Sequence, residues 1–153
     1  MLQVGETMPE FMLLNPKREQ VTDKDFAGKV SVLAFYPMAF TGGCTREMQA
    51  FKQRYEEFAA LGVEVVGVSA DPWAAAGAFC DAQELQFPLL SDFPTGQTID
   101  AFGVRREGAA TAQRVTFVFD AAGVLRHTIE GTSEMDEHSQ SALDSARSIV
   151  QGG

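Results

Sequence analysis

At 153 residues the chain suits one domain, expected to span 1–153, and a domain of this size buries roughly two-thirds of its unfolded surface. A formal net charge of −9 argues against a nucleic-acid partner or an anionic membrane surface, both of which need clustered Lys and Arg. No stretch reaches the ~20 apolar residues of a membrane span, and Met1 to Met12 has neither a basic start nor an apolar run, so a cytoplasmic protein is expected.

Taken in order, the chain reads as alternating strands and helices without repeats or linkers. Val30 to Tyr36 is an almost unbroken apolar run with β-branched and aromatic members, as in a strand buried on both faces. Pro37 stops it, having no N–H to give to a ladder. After the Thr41-Gly42-Gly43 turn, Met48, Phe51, Tyr55 and Phe58 recur at spacings of three and four, predicting a helix over about 43–61 that Gly62 ends. Val63 to Ser69 reads as a second buried strand. Asp71-Pro72 predicts a helix start, with Asp71 as N-cap, running to about Leu85. Phe87 to Ser91 is a short apolar segment and Thr95 to Phe102 a short helix. Arg114–Phe119 and Val124–Glu130 are strands joined by the Asp120–Gly123 turn, hence a hairpin. Glu137 to Val150 is a final amphipathic helix. This order predicts an α/β fold, a central mixed β-sheet flanked by helices, with ligands beyond the carboxyl ends of strands.

Cys44 falls at such an end, in the first turn of the first long helix. There it meets free backbone N–H groups and the positive end of the helix dipole, which favour an anionic sulfur. Position alone leaves a buried structural cysteine equally open. With two cysteines, no C-x-x-C and two histidines, the spacing of a structural zinc site is absent. No glycine-rich phosphate loop follows a strand, so neither a metal nor a cofactor is inferred.

The surroundings of Cys44 decide between these readings. Pro37-Met-Ala-Phe-Thr41-Gly-Gly-Cys44 fits P-x-x-x-T-x-x-C and resembles the active-site loop of the peroxiredoxins. Gly5 to Leu13 is similar to that family's N-terminal G-x-x-x-P-x-F-x-L. Gly67 to Asp71 and Phe87 to Asp92 resemble its next strands, and Arg114 to Asp120 the strand that carries its catalytic arginine. The likeness is collinear over nearly the whole chain and falls nearest the AhpE-like and PrxQ-like (bacterioferritin-comigratory) branches.

The resemblance implies a thioredoxin-like fold and a thiol-dependent peroxidase acting on hydrogen peroxide and organic hydroperoxides. It makes Cys44 the nucleophile, Thr41 a hydroxyl for the incoming peroxide, Arg114 a fixed cation beside the sulfur and Pro37 a shield against water. The backbone amides of Gly43 and Cys44 become donors to the peroxide, and Glu47 an acid that orients the arginine. That reading requires a sulfur that peroxide can reach and a guanidinium turned toward it. Apart from the resemblance, Phe40, Phe102 and other apolar side chains are candidates to line a pocket for an alkyl group. A cysteine of ordinary pKa ~8.5 is about 3% ionised at pH 7, so complete ionisation gains only about 30-fold. Enzymes accelerate by at least ~10⁶, so polarisation of the O–O bond must supply most of the effect.

The family also implies a fate for the oxidised sulfur. The resolving cysteine that PrxQ-like relatives often carry five residues on is Gln49 here, and no cysteine follows Cys80. Cys80 follows Cys44 by 36 residues, on the helix that begins near Asp71, and resembles the resolving cysteine of a PrxQ-like subset. An intramolecular Cys44–Cys80 disulfide is expected, reached by local unwinding near Gly42-Gly43. The alternatives are a one-Cys enzyme resolved by an external thiol, with Cys80 a packed spectator, and a non-enzymatic redox sensor. A thioredoxin-like or mycoredoxin-like reductant and a monomer or homodimer are implied. His127 and His138 read as surface or structural residues, Arg46 as solvated, and Trp73 as packing.

Overall fold

In the computed structural model, residues 1–131 and 134–152 are described, apart from the side chain of Met135. Seven strands form one mixed sheet: β1 (Met12–Leu14), β2 (Gln20–Thr22), β3 (Ser31–Phe35), β4 (Glu64–Ser69), β5 (Leu89–Ser91), β6 (Val115–Phe119) and β7 (Leu125–Glu130). Four helices join them: α1 (Gly42–Ala60), α2 (Trp73–Ala82), α3 (Gln97–Ala101) and α4 (Met135–Gly152). The strand order is β2-β1-β5-β4-β3-β6-β7. The parallel β3–β4 and β4–β5 pairs are linked through α1 and α2, since parallel neighbours require a crossover. β6 lies antiparallel to β3, and β7 to β6.

Alternation along β3 sorts the core into two layers. Val32, Ala34 and Tyr36 point to one face, where Met48, Phe51 and Phe58 of α1, Phe79 of α2 and Leu143 of α4 cover them. Leu33 and Phe35 point to the other, against Phe11, Phe26 and Phe102. Gly62 closes α1 at φ +73°, a left-handed position without penalty for glycine. At Gly67 a β-carbon would come within 2.5 Å of the end of the Leu89 side chain, so glycine leaves room there for Leu89 in the core. Among the described residues no helix is long and apolar enough to cross a membrane.

The expected mixed sheet flanked by helices is thus present. Three local expectations are corrected. β1 and β2 add to the strands expected, because three residues are too few to show an alternation. Asp71 does not cap α2. Its carboxylate accepts from Ala39 N (2.8 Å) and Ser69 Oγ (2.7 Å), so it ties β4 to the loop after β3, and Pro72 takes the N-cap place. Trp73 lies at the surface, with the Arg18 guanidinium 4.9 Å above its ring.

Candidate active site

Two registers bring the site together. The pairing of Phe35 with Val115 sets Arg114 opposite the end of β3, where the chain leaves the sheet for the Pro37–Thr41 loop. Residues 114, 116 and 118 share the face that α1 and α4 cover, because side chains alternate along β6. On α1, Cys44 and Glu47 are three residues apart and so lie on one side of the helix. Arg114 therefore meets both: Nη1 bonds Glu47 Oε1 at 2.6 Å and Nη2 donates to Cys44 Sγ at 3.4 Å. A permanent cation lies against the sulfur, where it stabilises an anion.

Around the sulfur, the first backward helical bond of α1 runs from Thr45 N to Thr41 O (2.9 Å), so the amides of Gly42, Gly43 and Cys44 precede the ladder. Thr41 holds the N-cap place without a side-chain cap bond. Its hydroxyl donates to Met38 O at 2.9 Å, which commits its proton and leaves its lone pairs to accept. Phe40, at φ +66°, is exposed and its ring lies 5.1 Å from that of Phe79. Pro37 is half-buried at the start of this loop, and Arg46 is exposed.

The guanidinium is turned toward the sulfur as required, yet Cys44 is more enclosed than the sequence reading asked, with 0% exposure. Its loop neighbours Phe40, Thr41 and Gly42 are exposed. Phe102 is corrected outright: it packs among Phe35, Phe117 and Phe119 on the far face of the sheet and cannot line a pocket at Cys44. Cys80 is half-buried on α2, packs against the cluster that contains Cys44, and directs its thiol to Phe87 O at 3.6 Å; both cysteines are free thiols.

Sequence reasoning missed two members of the site. His138, at the start of α4, is wholly buried, with Nδ1 2.8 Å from Thr116 Oγ1 and 3.6 Å from Glu47 Oε2. The signal for Thr116 was a hydroxyl inside an apolar strand, two residues from Arg114. His127 is structural, its Nε2 2.9 Å from Ser141 Oγ.

Burial pushes the Glu47 carboxyl up to about 7, against the pull of Arg114. Burial, with the Arg114 charge beside it, pushes His138 down to about 4. The raised Glu47 therefore favours the fold below its ordinary value of 4.5, and this contribution is lost as pH rises through about 7. The depressed His138 contributes above 6.5 and loses that as pH falls through about 4. Urea unfolding at pH 5 and pH 8 separates them. Glu47→Gln is expected to gain stability relative to the parent as pH rises, and an unchanged difference between the two proteins would contradict this assignment.

Comparison with known proteins gives a consistent answer. Residues 4–128 match the model of the AhpC/TSA family. Alkyl hydroperoxide reductase E of Mycobacterium tuberculosis is 37% identical over 82% of this chain and 84% of its own. Peroxiredoxin Bcp of Escherichia coli is 32% identical over 90% and 91%. The crystal structure of peroxidoxin BcpB from Mycobacterium tuberculosis superposes with a TM-score of 0.91 at 31% identity, covering 97% of this chain and 99% of that one. Solved structures of Xanthomonas campestris peroxiredoxin Q, 27% identical with TM-scores of 0.85 and 0.84, include two single cysteine-to-serine variants. Coverage is 92% of this chain and 91% of that one for the first, and 90% of each for the second. The positions of those two cysteines are separated by the same interval as Cys44 and Cys80.

Proposed function

The chain belongs to the AhpC/TSA family and is a peroxiredoxin, a thiol-dependent peroxidase of thioredoxin-like fold, and from that premise we propose that Cys44 is its nucleophile and Cys80 its resolving thiol. The observation that carries the reading is the Arg114 guanidinium held between Glu47 and the Cys44 sulfur.

The Cys44 thiolate attacks one peroxide oxygen in line with the O–O bond. That bond breaks, the sulfur keeps the attacked oxygen as a sulfenic acid, and the other oxygen leaves as an alkoxide or hydroxide that takes a proton from water. Charge builds on both oxygens as they separate, so donors aimed at them act chiefly in the transition state. Arg114 and the amides of Gly43 and Cys44 supply those donors. Thr41, its proton engaged by Met38, accepts the peroxide O–H and so orients the molecule. Pro37 limits water at the sulfur, and Glu47 keeps Arg114 in place. Because Cys44 has no static exposure, peroxide enters as the Phe40–Gly42 segment moves. Phe40, exposed beside that entrance, offers an apolar surface to an alkyl substituent, which favours organic hydroperoxides alongside hydrogen peroxide.

Cys80 then attacks the sulfenic sulfur, water leaves, and a Cys44–Cys80 disulfide forms for a thioredoxin-like or mycoredoxin-like dithiol to reduce. The shared interval with peroxiredoxin Q and the placement of both sulfurs in one cluster support this step.

Stopped-flow oxidation of the reduced protein by hydrogen peroxide and an alkyl hydroperoxide tests the first step. The parent should lose its thiol in a rapid second-order reaction, and Cys44→Ser should leave no such phase. A rapid phase that survives in Cys44→Ser would remove Cys44 from the nucleophile's role.

A further inference from the structure

Glu47 bonds Arg114 through Oε1 alone. Its second oxygen, Oε2, is buried without a hydrogen bond among the described residues. The polar group that faces it is Nδ1 of His138, 3.6 Å away and fixed at 2.8 Å by Thr116 Oγ1. His138 is itself wholly buried and its Nε2 has no hydrogen-bond partner, so the ring serves no other polar contact among the described residues. A carboxyl held at one oxygen can turn about its terminal bond, and any turn carries the guanidinium with it.

We propose that His138, set in place by Thr116, is a positioning residue for peroxide reduction: its Nδ1 backs Glu47 Oε2 and so keeps Arg114 aimed at Cys44. This rests on the roles just given to Cys44 and Arg114. The contact needs closure by a few tenths of an ångström to become a hydrogen bond, a movement within the ordinary play of packed side chains. Burial and the charge of Arg114 keep the ring neutral, so it adds no competing cation, and in the Nδ1–H tautomer that the proposal requires the proton is shared between Thr116 Oγ1 and Glu47 Oε2. The line Thr116–His138–Glu47–Arg114–Cys44 thereby couples β6 and the start of α4 to the sulfur on α1.

The test compares oxidation of Cys44 by hydrogen peroxide with its alkylation by iodoacetamide, which needs the thiolate but breaks no O–O bond. His138→Leu should oxidise about 10-fold more slowly, as fits a residue acting at one remove, with alkylation changed by less than about 3-fold. His138→Asn places an amide nitrogen where Nδ1 stood and nothing where Nε2 stood, and should return oxidation to within about 3-fold of the parent. Should His138→Leu fail to fold by circular dichroism, Thr116→Val, nearly isosteric and lacking the hydroxyl, takes its place under the same criteria. Oxidation at the parental rate in His138→Leu overturns the proposal. So does equal slowing in His138→Asn and His138→Leu, or alkylation that falls as far as oxidation. Arg114→Met, run alongside, tells the two readings apart: if it too oxidises at the parental rate, the role of the guanidinium has failed rather than its positioning.

Discussion

Arg114→Met is expected to slow oxidation of Cys44 by hydrogen peroxide about 10²–10³-fold, the usual cost of losing one donor to a developing oxyanion. The substitution keeps an unbranched apolar stem and removes the guanidinium with both of its bonds, at 2.6 Å to Glu47 and 3.4 Å to the sulfur. The fold should tolerate it. Stranding a buried charge ordinarily costs about 3–5 kcal/mol. Glu47, pushed up to about 7 by burial, instead takes a proton at or below neutral pH.

The size of the effect identifies its cause. At pH 7 the thiolate fraction of a cysteine spans about 30-fold at most, so a cation that acted only on ionisation would slow oxidation and iodoacetamide alkylation alike, within that limit. A guanidinium that also stabilises the parting oxygens slows oxidation well beyond alkylation. Parallel stopped-flow and alkylation measurements decide this. Oxidation within about 5-fold of the parent would mean that Arg114 does not serve the transition state.

Parts of this site were legible in the sequence, and others were hidden for physical reasons. Cys44 stood out because a buried strand, a proline and a helix start succeed one another within a few residues, but only the family likeness set it above a structural cysteine, and Glu47 entered through that likeness alone. Arg114 was not readable from periodicity. What places it is the antiparallel register of Phe35 with Val115, a long-range pairing that only the family likeness could anticipate. His138 was hidden because the apolar stripe of α4 states which face is buried but not which residue of α1 it meets. Asp71 misled because an Asp-Pro pair is a good local helix start, whereas its carboxylate is used by Ala39 and Ser69 instead. Phe102 misled because an aromatic residue near a helix end carries no mark of the sheet face it covers.

Cys80→Ser should leave the first oxidation unchanged and disable the resolution of the sulfenic acid. In the reduced protein Cys80 is poorly disposed to react: burial, with Asp81 nearby, pushes its thiol up, and its sulfur is directed to Phe87 O. The end of α2 is also fastened to α1, where Gln49 and Lys52 donate to Gln83 O at 3.2 and 3.1 Å. A disulfide needs Cα atoms roughly 4.4–6.8 Å apart, and the proposed bond is expected to form as the first turn of α1 unwinds and α2 loosens. The same loosening exposes Cys80 to water and removes the desolvation that holds its proton. Once mobile, an intramolecular thiol acts at an effective concentration on the order of millimolar, against a reductant supplied at about 10 µM, so resolution from within gains about 100-fold. Turnover with a thioredoxin-type reductant should therefore fall about 100-fold in Cys80→Ser while single-turnover oxidation of Cys44 stays at the parental rate. By intact mass, one equivalent of peroxide should lighten the parent by about 2 Da, and excess peroxide should drive Cys80→Ser past the sulfenic acid to the sulfinic acid, heavier by about 32 Da. A Cys80→Ser enzyme that cycles at the parental rate, beside a parent that never loses two protons, would make this a one-Cys peroxidase whose partner thiol comes from outside.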